Sequence, residues 1–503
     1  MEQPNSPSRL QYPCCTQHSA HLLCAVALVC LVFLAYAPAL NDYLLADSFR
    51  IVGQMDFHSA LRFFSDTTGF GRNEYRPLVP LTYAVDQFFW GDRPFGYHLT
   101  NLALHALSSV LMYFVFLRLA GSPLTAFCSA VLFALQPAHH SRVAWIAARD
   151  SGLCLLLLLA SWLAYLHSRG QAGEAAADHP SRQPRRRRLL RLAGGLAYLL
   201  ALLSYEGAIA FPLVLLAMEL LVYADDESWP ARVKRALRAT WPLLVMTAAY
   251  LAWWLLLFKA SVGEYDLLLT ARGILANFYR LHYRLFYHVQ HWLGLAYLAA
   301  FVWLWRERRH FRPLLGFSIA IIWLGYLPYM HVRGFADRFS MLSVVGAALL
   351  LGLCASALSP GWHGSGFSRA LPLVLVLLFS GYYAWGTGRR ARHWTEAGAQ
   401  AKKILTDLQQ MHPQFPEKAV LILDRIPAMH ENAYVFPLGL RAAIRRRLKQ
   451  ELPEIYYSTG DAAPELSEQL MARGPLFRFR YLAEQQRLVQ VSAPVATPVS
   501  AAR

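Results

Sequence analysis

Charged residues are scarce in this chain of 503 residues. Asp, Glu, Lys and Arg together make up 16% of it, whereas 56% of the residues are hydrophobic and the mean hydropathy is +0.30. This composition excludes an ordinary soluble globular protein. Apolar runs long enough to cross roughly 30 Å of hydrocarbon recur along the chain, and helices are the natural spanning form for such runs. We therefore predict an all-α polytopic membrane protein.

Metal-site and redox motifs are also missing. The seven cysteines form no CxxC pair, and most lie in or beside apolar runs, where cysteine acts as a small buried hydrophobic residue. We predict no metal ligand, and the sequence requires no cofactor. The net charge of +17 comes from Lys and Arg clustered in short loops, as membrane lipids favour, so we expect no nucleic-acid partner.

Eleven membrane spans account for the apolar runs. The first run lacks a small-residue cleavage site, so we predict a retained anchor instead of a removed signal peptide. The predicted spans lie near 21–40, 98–119, 122–138, 143–167, 189–205, 207–223, 239–258, 286–305, 313–330, 339–356 and 369–386.

The basic loops orient these spans. An N-terminus in the cytoplasm places the arginine-rich stretches 182–188, 232–238 and 306–312 inside, as the positive-inside rule requires. In a bacterium this would be the inner membrane. Arg389, Arg390 and Arg392 conflict with the rule because they follow the last span on the outer face. Either they contact lipid phosphate, or the number of spans differs by one.

The orientation also defines the domains. They are a cytoplasmic tail (1–20), a transmembrane core (21–388) with first outer loop 41–97 and cytoplasmic linker 168–188, and a small extracytoplasmic α/β domain (389–503). In the first outer loop, segments 58–66 and 77–90 are predicted to be helices lying in the membrane interface. For the C-terminal domain we predict helices near 394–410 and 438–450, a strand at 419–426, and paired strands at 476–482 and 487–492.

Two carboxylates, Asp42 and Asp47, directly follow the first apolar run. A carboxylate at a membrane exit can act as general base toward an acceptor hydroxyl. It would need a partner that holds a phosphate, and arginine suits that role because its planar fork binds phosphate oxygens. Arg76 and Arg338 are the outer-face candidates, with Arg333 close by. Each of these residues also fits a side chain that merely lies at the membrane interface.

Polar residues at the ends of later spans complete the set of substrate-site candidates. His98 and Asn101 share one helix face with His105, which suits either a cavity or interhelical hydrogen bonding; His105 is the more structural member. His139 and His140 suit either substrate contact or a solvated turn. Glu206 begins a span, where the helix dipole favours an acid in any case, and Asp337 precedes Arg338.

Several of these segments together resemble a known family. They are 75–78 (YRPL), 98–105 (HLTNLALH), 143–146 (VAWI), 204–206 (SYE) and 337–339 (DRF). In this order they are similar to the membrane core of the transmembrane O-mannosyltransferases that usually carry tetratricopeptide repeats, and to bacterial glycosyltransferases of the same GT-C architecture. The resemblance covers roughly residues 20–390.

The resemblance implies a GT-C fold and transfer of a mannose-like or other hexose on the outer face. The donor would be a polyprenyl-phosphate-linked sugar, and the acceptor a protein or glycan. Asp47 would accept the acceptor's proton as the anomeric carbon inverts, while Arg76 and Arg338 would hold the lipid phosphate. His98, Asn101 and His139 would shape the site.

The chain departs from the family pattern at several positions. Ala46, Gln136, Ser141, Tyr205, Asp337 and Phe339 stand where the family has Asp, His, Glu, Lys, Glu and Tyr, and the repeats are absent. A changed donor or acceptor and a loss of activity both fit these departures. Two other classes stay open: a transporter or flippase for a lipid-linked substrate, and a catalytically silent scaffold that presents the C-terminal domain.

Overall fold

The computed structural model describes most of the chain. The described residues are 14–65, 74–169, 183–223, 227–258, 270–286, 301–302, 304–306, 309–332, 336–357, 366–451, 454–459 and 474–495. The predicted span 286–305, most of linker 168–188, and Arg333 lie wholly or largely outside the described residues.

Helices make up most of the structure. The longer ones are Cys14–Tyr36, Leu78–Trp90, Pro94–Ala120, Pro123–Leu135, Arg149–Arg169, Gln183–Leu202, Phe211–Leu221, Trp229–Phe258, Ala271–Leu285, Arg312–Tyr326, Met341–Ala357 and Gly366–Met411. Short helices Ser48–Ile51, Phe57–Arg62 and His140–Ala144 join them in the loops. Both helices predicted in the first outer loop are present. Helix Ala271–Leu285 lies between the predicted spans 239–258 and 286–305, where no helix is predicted.

Six helical segments in the described part of the chain are long and apolar enough to cross a membrane. They are His18–Asn41, Pro94–Ala120, Ile146–Arg169, Trp229–Leu256, Arg309–Tyr329 and Asp337–Cys354. The predicted class, a polytopic helical membrane protein with a small C-terminal sheet, is confirmed. The number of eleven spans stays a prediction.

Small residues bring the helices of the core together. A Cβ at Gly346 would lie 2.6 Å from the Ser318 carbonyl oxygen, and one at Gly352 would lie 1.9 Å from the Ser129 hydroxyl. Glycine at these positions lets helix Met341–Ala357 pack backbone-close against two neighbours, which is how membrane helices gain van der Waals contact. This packing fixes the helix that follows Arg338.

One helix of 46 residues, Gly366–Met411, contains both the last predicted span and the first predicted helix of the C-terminal domain. At 1.5 Å per residue it is about 70 Å long, more than twice the hydrocarbon thickness of roughly 30 Å. It therefore continues beyond any membrane as one rigid element, without a linker at residue 388.

The C-terminal domain contains a four-stranded sheet and a small hairpin. The strands are β1 (Val420–Asp424), β2 (Met429–His430), β3 (Ala433–Tyr434), β4 (Glu454–Tyr457), β5 (Leu476–Leu482) and β6 (Arg487–Val495). The sheet order is β4-β1-β5-β6, with β1 parallel to both neighbours and β5 antiparallel to β6. Helix Leu440–Leu448 lies between β3 and β4 in the chain. The predicted strands and helix are all found.

The C-terminal domain packs directly on the first outer loop. The Ala46 amide donates to the Val435 carbonyl at 3.1 Å, and the Phe49 and Phe436 rings stack with centroids 5.9 Å apart. Gly439 has a φ of +81°, and a Cβ there would lie 2.1 Å from the Ala46 carbonyl oxygen, so only glycine permits this approach. The loop that carries Asp47 is thus held in place by the C-terminal domain.

Candidate active site

One cavity contains the three residues to which the sequence assigns chemistry. It lies between the first outer loop and the helical core. Asp47, Arg76 and Arg338 line it together with Ile51, Phe63, Glu74, Val79, Pro80, Tyr83, Trp145, Ala147, Ala148 and Asp150. Residues separated by almost 300 positions in the chain therefore meet at one site.

Asp47 stands at the start of the short helix Ser48–Ile51. Its carboxylate lies 3.7 Å from the Arg50 guanidinium, and its side chain is 14% exposed. Burial of Leu45, Phe49 and Ile51 on either side anchors the turn, so the carboxylate is held at the wall of the cavity without being sealed from it.

Arg76 lies in the cavity wall, but carboxylates surround its guanidinium. Nε and Nη2 donate to the two Glu206 oxygens at 2.9 and 2.7 Å, and Nη1 donates to Asp150 at 2.5 Å. Glu74 lies 3.0 Å away, and the guanidinium also stands over the Tyr205 ring at 4.7 Å. Burial opposes the charge, yet Glu206, Glu74 and Asp150 raise the pKa of Arg76 well above its usual value. Arg76 is thus the centre of an ionic network.

Arg338 lies where two cavities meet. It lines the Asp47 cavity and also a neighbouring cavity, to whose wall Arg284 and Tyr434 of β3 contribute. Its guanidinium lies 5.8 Å from the Trp145 ring centroid and 5.3 Å from that of Phe339. Such contacts of a guanidinium with aromatic faces are attractive.

Asp337 does not line the Asp47 cavity. It pairs with the buried Arg390 of the long helix and lies 3.9 Å from Arg284 in the neighbouring cavity. This pair places Arg390 on the same side of the core as Arg338. Arg390, one of the three arginines that conflict with the positive-inside rule, is therefore buried and paired with a carboxylate.

Asn101 supports the cavity from behind. Its amide donates to the carbonyls of Arg142 and Trp145 at 3.2 and 3.3 Å, and its oxygen accepts from Arg149 at 2.7 Å. Arg149 is fully buried and pairs with Asp86 at 2.5 Å. This network fixes segment 143–148, which supplies Trp145 and two alanines to the wall. Hydrogen bonding between segments, one of the two interpretations of Asn101, is what the structure shows.

The histidines lie away from the cavity. His98 is buried beside the backbone of Asp42 and Val143. His105 bonds the Ala134 carbonyl at 3.0 Å, and its ring centroid lies 4.6 Å from that of His139. These three rings pack within the helical core beneath segment 143–148.

His140 is also buried, with its ring stacked on Tyr36 at 5.8 Å and 6.3 Å from Trp394 of the long helix. Burial lowers the pKa of both His139 and His140, that of His140 to about 3, so both rings are neutral at physiological pH. The solvated turn expected as one alternative is therefore wrong, because the long helix covers it.

Asp42, the other outer-loop acid, faces the long helix. Its carboxylate accepts from the Thr395 hydroxyl at 2.8 Å, and it is buried outside the residues that line the cavity. Burial raises its pKa to about 6. Its geometry is that of a packing contact, so of the two acids that follow the first apolar run Asp47 is the one that lines the cavity.

Two acids at the site were missed from the sequence. Asp150 directly follows Arg149 at the start of a span, and Glu74 stands two residues before Arg76. The signal that selected Glu206, an acid at the outer end of an apolar run, would also have selected Asp150. Among the described residues, no group of three or more His, Cys, Asp or Glu side chains is arranged to hold a metal ion.

Three of the departures from the family pattern are structural residues here. Ala46, at φ +46°, is fully buried against the C-terminal domain, so an acid at this position would be covered. Tyr205 is buried between Arg76 and Tyr329, whose ring centroid is 6.1 Å from its own. Gln136 caps its own turn by accepting from Ala138 at 2.7 Å and donating to the Leu285 carbonyl.

No family model matches the chain, but curated relatives do over part of its length. Protein O-mannosyl-transferase TMTC1 of Homo sapiens is 39% identical over 108 residues, which are 21% of this chain and 12% of that protein. Protein O-mannosyl-transferase TMTC4 of Mus musculus is 29% identical over 168 residues, 28% of this chain and 22% of that protein. The alignments thus span less than a quarter of either relative's length.

Solved structures resemble this chain over most of its length. ArnT from Cupriavidus metallidurans in the apo state has a TM-score of 0.52 and 15% identity, covering 92% of this chain and 93% of that one. The apo Archaeoglobus fulgidus oligosaccharyltransferase has a TM-score of 0.52 and 13% identity, covering 80% and 62%. Both are GT-C membrane glycosyltransferases. This chain has the GT-C fold.

ArnT has also been solved with undecaprenyl phosphate bound. That complex has a TM-score of 0.50 and 14% identity with this chain, covering 97% of it and 100% of ArnT. The resemblance inferred from the sequence segments is therefore confirmed at the level of fold, with partial sequence similarity to the O-mannosyltransferases. The GT-C fold and the apolar helices identify the chain as an integral membrane protein.

Proposed function

We propose that this protein transfers a sugar from a polyprenyl-phosphate donor to an acceptor hydroxyl in the Asp47 cavity. The observation that carries the proposal is that Asp47 and Arg338, far apart in the chain, line one cavity of a GT-C fold. The bound lipid named for ArnT and the O-mannosyl-transferase relatives support the donor class. The sugar is a mannose-like or other hexose, and the acceptor is a protein or glycan.

The proposed reaction is a single displacement with inversion. Asp47 takes the proton of the acceptor hydroxyl while the hydroxyl oxygen bonds to the anomeric carbon of the sugar. The bond from that carbon to the phosphate oxygen breaks at the same time. Negative charge develops on the leaving polyprenyl phosphate. A cation already held in place beside it stabilises the transition state more than one that must first be ordered.

Arg338 is the cation that best fits the leaving phosphate. Arg76 directs its donors to Glu206 and Asp150, so in our proposal it positions these acids while Arg338 contacts the lipid phosphate. Arg284, in the wall of the neighbouring cavity, would add a second positive charge. In this arrangement the sugar would occupy the Asp47 cavity, and the phosphate would lie at Arg338, where the two cavities meet.

We also propose that the site faces away from the cytoplasm. The three basic stretches of the sequence support a cytoplasmic N-terminus. The Arg390–Asp337 pair supports the same orientation, because it gives Arg390 a partner on the face that carries Arg338. The outer-face site and the C-terminal domain would then share one compartment.

Binding of the lipid phosphate tests the assignment of Arg338 without requiring the acceptor. Undecaprenyl phosphate in mixed micelles should raise the unfolding temperature of the wild-type protein, since a ligand that binds only the folded state stabilises it. Arg338→Ala should weaken binding by about 10- to 100-fold, the range expected for lost hydrogen bonds to a charged group. Arg62→Ala, at an exposed residue outside the cavity lining, is the matched control and should bind like wild type. Unchanged binding by Arg338→Ala would remove this residue from the donor site.

A further inference from the structure

A second groove lies on the other side of the first outer loop from the cavity. It separates helix Ser48–Ile51 from helix Leu440–Leu448 of the C-terminal domain. Its charged lining residues comprise five cations and one anion: Arg50, Arg441, Arg445, Arg446, Lys449 and Glu451. The groove is therefore strongly positive.

Two of these cations build the wall. Arg441 donates to the Ile455 carbonyl at 2.8 Å. Arg446 donates to the Val52 carbonyl and lies 3.4 Å from Asp92. The Arg446 contacts join the C-terminal domain to the first outer loop, so the groove exists before any ligand enters it.

The other cations are accessible. The side chains of Arg50 and Arg445 are 42% and 43% exposed, and Lys449 is exposed. Glu451 lies 3.4 Å from Arg445 but is 86% exposed, and such a surface pair contributes little. These residues present positive charge to an incoming anion.

The groove leads to the proposed general base. The Arg50 guanidinium lies at the groove and 3.7 Å from the Asp47 carboxylate, and Asp47 lines the cavity on the other side. Arg50 therefore links the groove to the carboxylate of Asp47.

We propose that this groove binds an acidic polypeptide segment of the acceptor and so delivers its hydroxyl to the Asp47 cavity. The proposal rests on the glycosyl transfer proposed above. Two of the lining residues are apolar, Phe49 and Ala442, which leaves little surface for the acyl chains of an anionic lipid. A polar, extended and negatively charged peptide fits this lining.

Peptide binding to the detergent-purified full chain, without donor, tests the proposal. The probe is a fluorescently labelled ten-residue peptide of Glu and Ser, followed by anisotropy. Arg445→Gln with Lys449→Asn removes two exposed charges, and asparagine tolerates the φ of +52° at position 449. We expect about tenfold weaker binding, equal to about 1.4 kcal/mol.

The control removes the same charge elsewhere, by Arg187→Gln with Arg188→Asn on an exposed helix start. It should bind like wild type. Equal weakening in both pairs of substitutions, or none in either, would overturn the proposal. Displacement of the peptide by phosphatidylglycerol vesicles from the wild type, but not from the groove variant, would also overturn the proposal, because it would assign the groove to lipid. The binding assay needs no sugar transfer, so a negative result in it leaves the proposed reaction standing. Conversely, intact peptide binding without sugar transfer refutes the proposed reaction and not the groove.

Discussion

Replacing Arg76 by alanine should destabilise the protein more than it alters donor binding. Arg76 is only 13% exposed and lies within 3.0 Å of Glu74, Asp150 and Glu206. Its removal leaves three neighbouring carboxylates without their common cation. Breaking a buried ion pair from one side costs about 3–5 kcal/mol, and the low exposure of Arg76 leaves little solvent screening to reduce this.

A double-mutant cycle measures the network directly. Arg76→Ala, Glu206→Gln and their combination are unfolded by denaturant in detergent micelles, and residues in direct contact should show a coupling energy of about 1–3 kcal/mol. Arg62→Ala, which removes an exposed arginine from the same loop, is the control and should change stability by less than about 0.5 kcal/mol. The stability of Arg76→Lys should lie between those of the wild type and Arg76→Ala, because lysine keeps the charge and loses the bidentate fork.

The opposite pattern would refute this interpretation. If Arg76→Ala unfolds like the wild type and binds undecaprenyl phosphate much more weakly, Arg76 contacts the lipid phosphate and the carboxylates only shield it. Wild-type stability would also contradict the packing of Glu74, Asp150 and Glu206 around one guanidinium.

Two further predictions concern buried carboxylates away from the cavity. Glu219 is fully buried between Arg169 and Arg235, so Glu219→Gln should lower the free energy of unfolding by about 2 kcal/mol or more. Glu227 belongs to a more exposed pair, and Glu227→Gln should change that free energy little. Equal effects of the two substitutions would contradict the pairing of Glu219. Burial raises the pKa of Asp42 to about 6 from 3.8, so the folded state binds this proton more tightly than the unfolded state, and stability should fall as the pH rises from about 4 to about 6. Asp42→Asn should remove that dependence and raise the free energy of unfolding by up to about 3 kcal/mol at pH 7. Unfolding at pH 4.5 and at pH 7 measures the effect. A variant with the same pH profile as the wild type would show that Asp42 is solvated.

Local patterns in the sequence predict much of the fold. The apolar run at 98–119 corresponds to helix Pro94–Ala120, and the short apolar run at 419–426 contains strand Val420–Asp424, since a strand between parallel neighbours is buried on both faces. Run length and composition determine both. The continuity of helix Gly366–Met411 was missed because its polar second half suggested a new domain.

The candidate site was only partly predictable. Asp47 and Arg338 could be chosen by residue type and by their place beside spans. The partners of Arg76 could not, because which acids reach a guanidinium depends on how distant helices pack. For the same reason the burial of His140 under Trp394 is invisible in a sequence that places two histidines at the end of a span.

Sugar transfer by Asp47→Asn is the measurement that tests the central claim most directly. The substitution keeps the shape of the side chain and removes its basicity, so transfer from a polyprenyl-phosphate-linked sugar should fall by about 100-fold or more, the lower end of general-base catalysis. Asp42→Asn, five residues away and outside the cavity lining, should retain transfer. Full transfer by the Asp47 variant, at wild-type stability, would contradict the assignment of the catalytic base and with it the proposed mechanism.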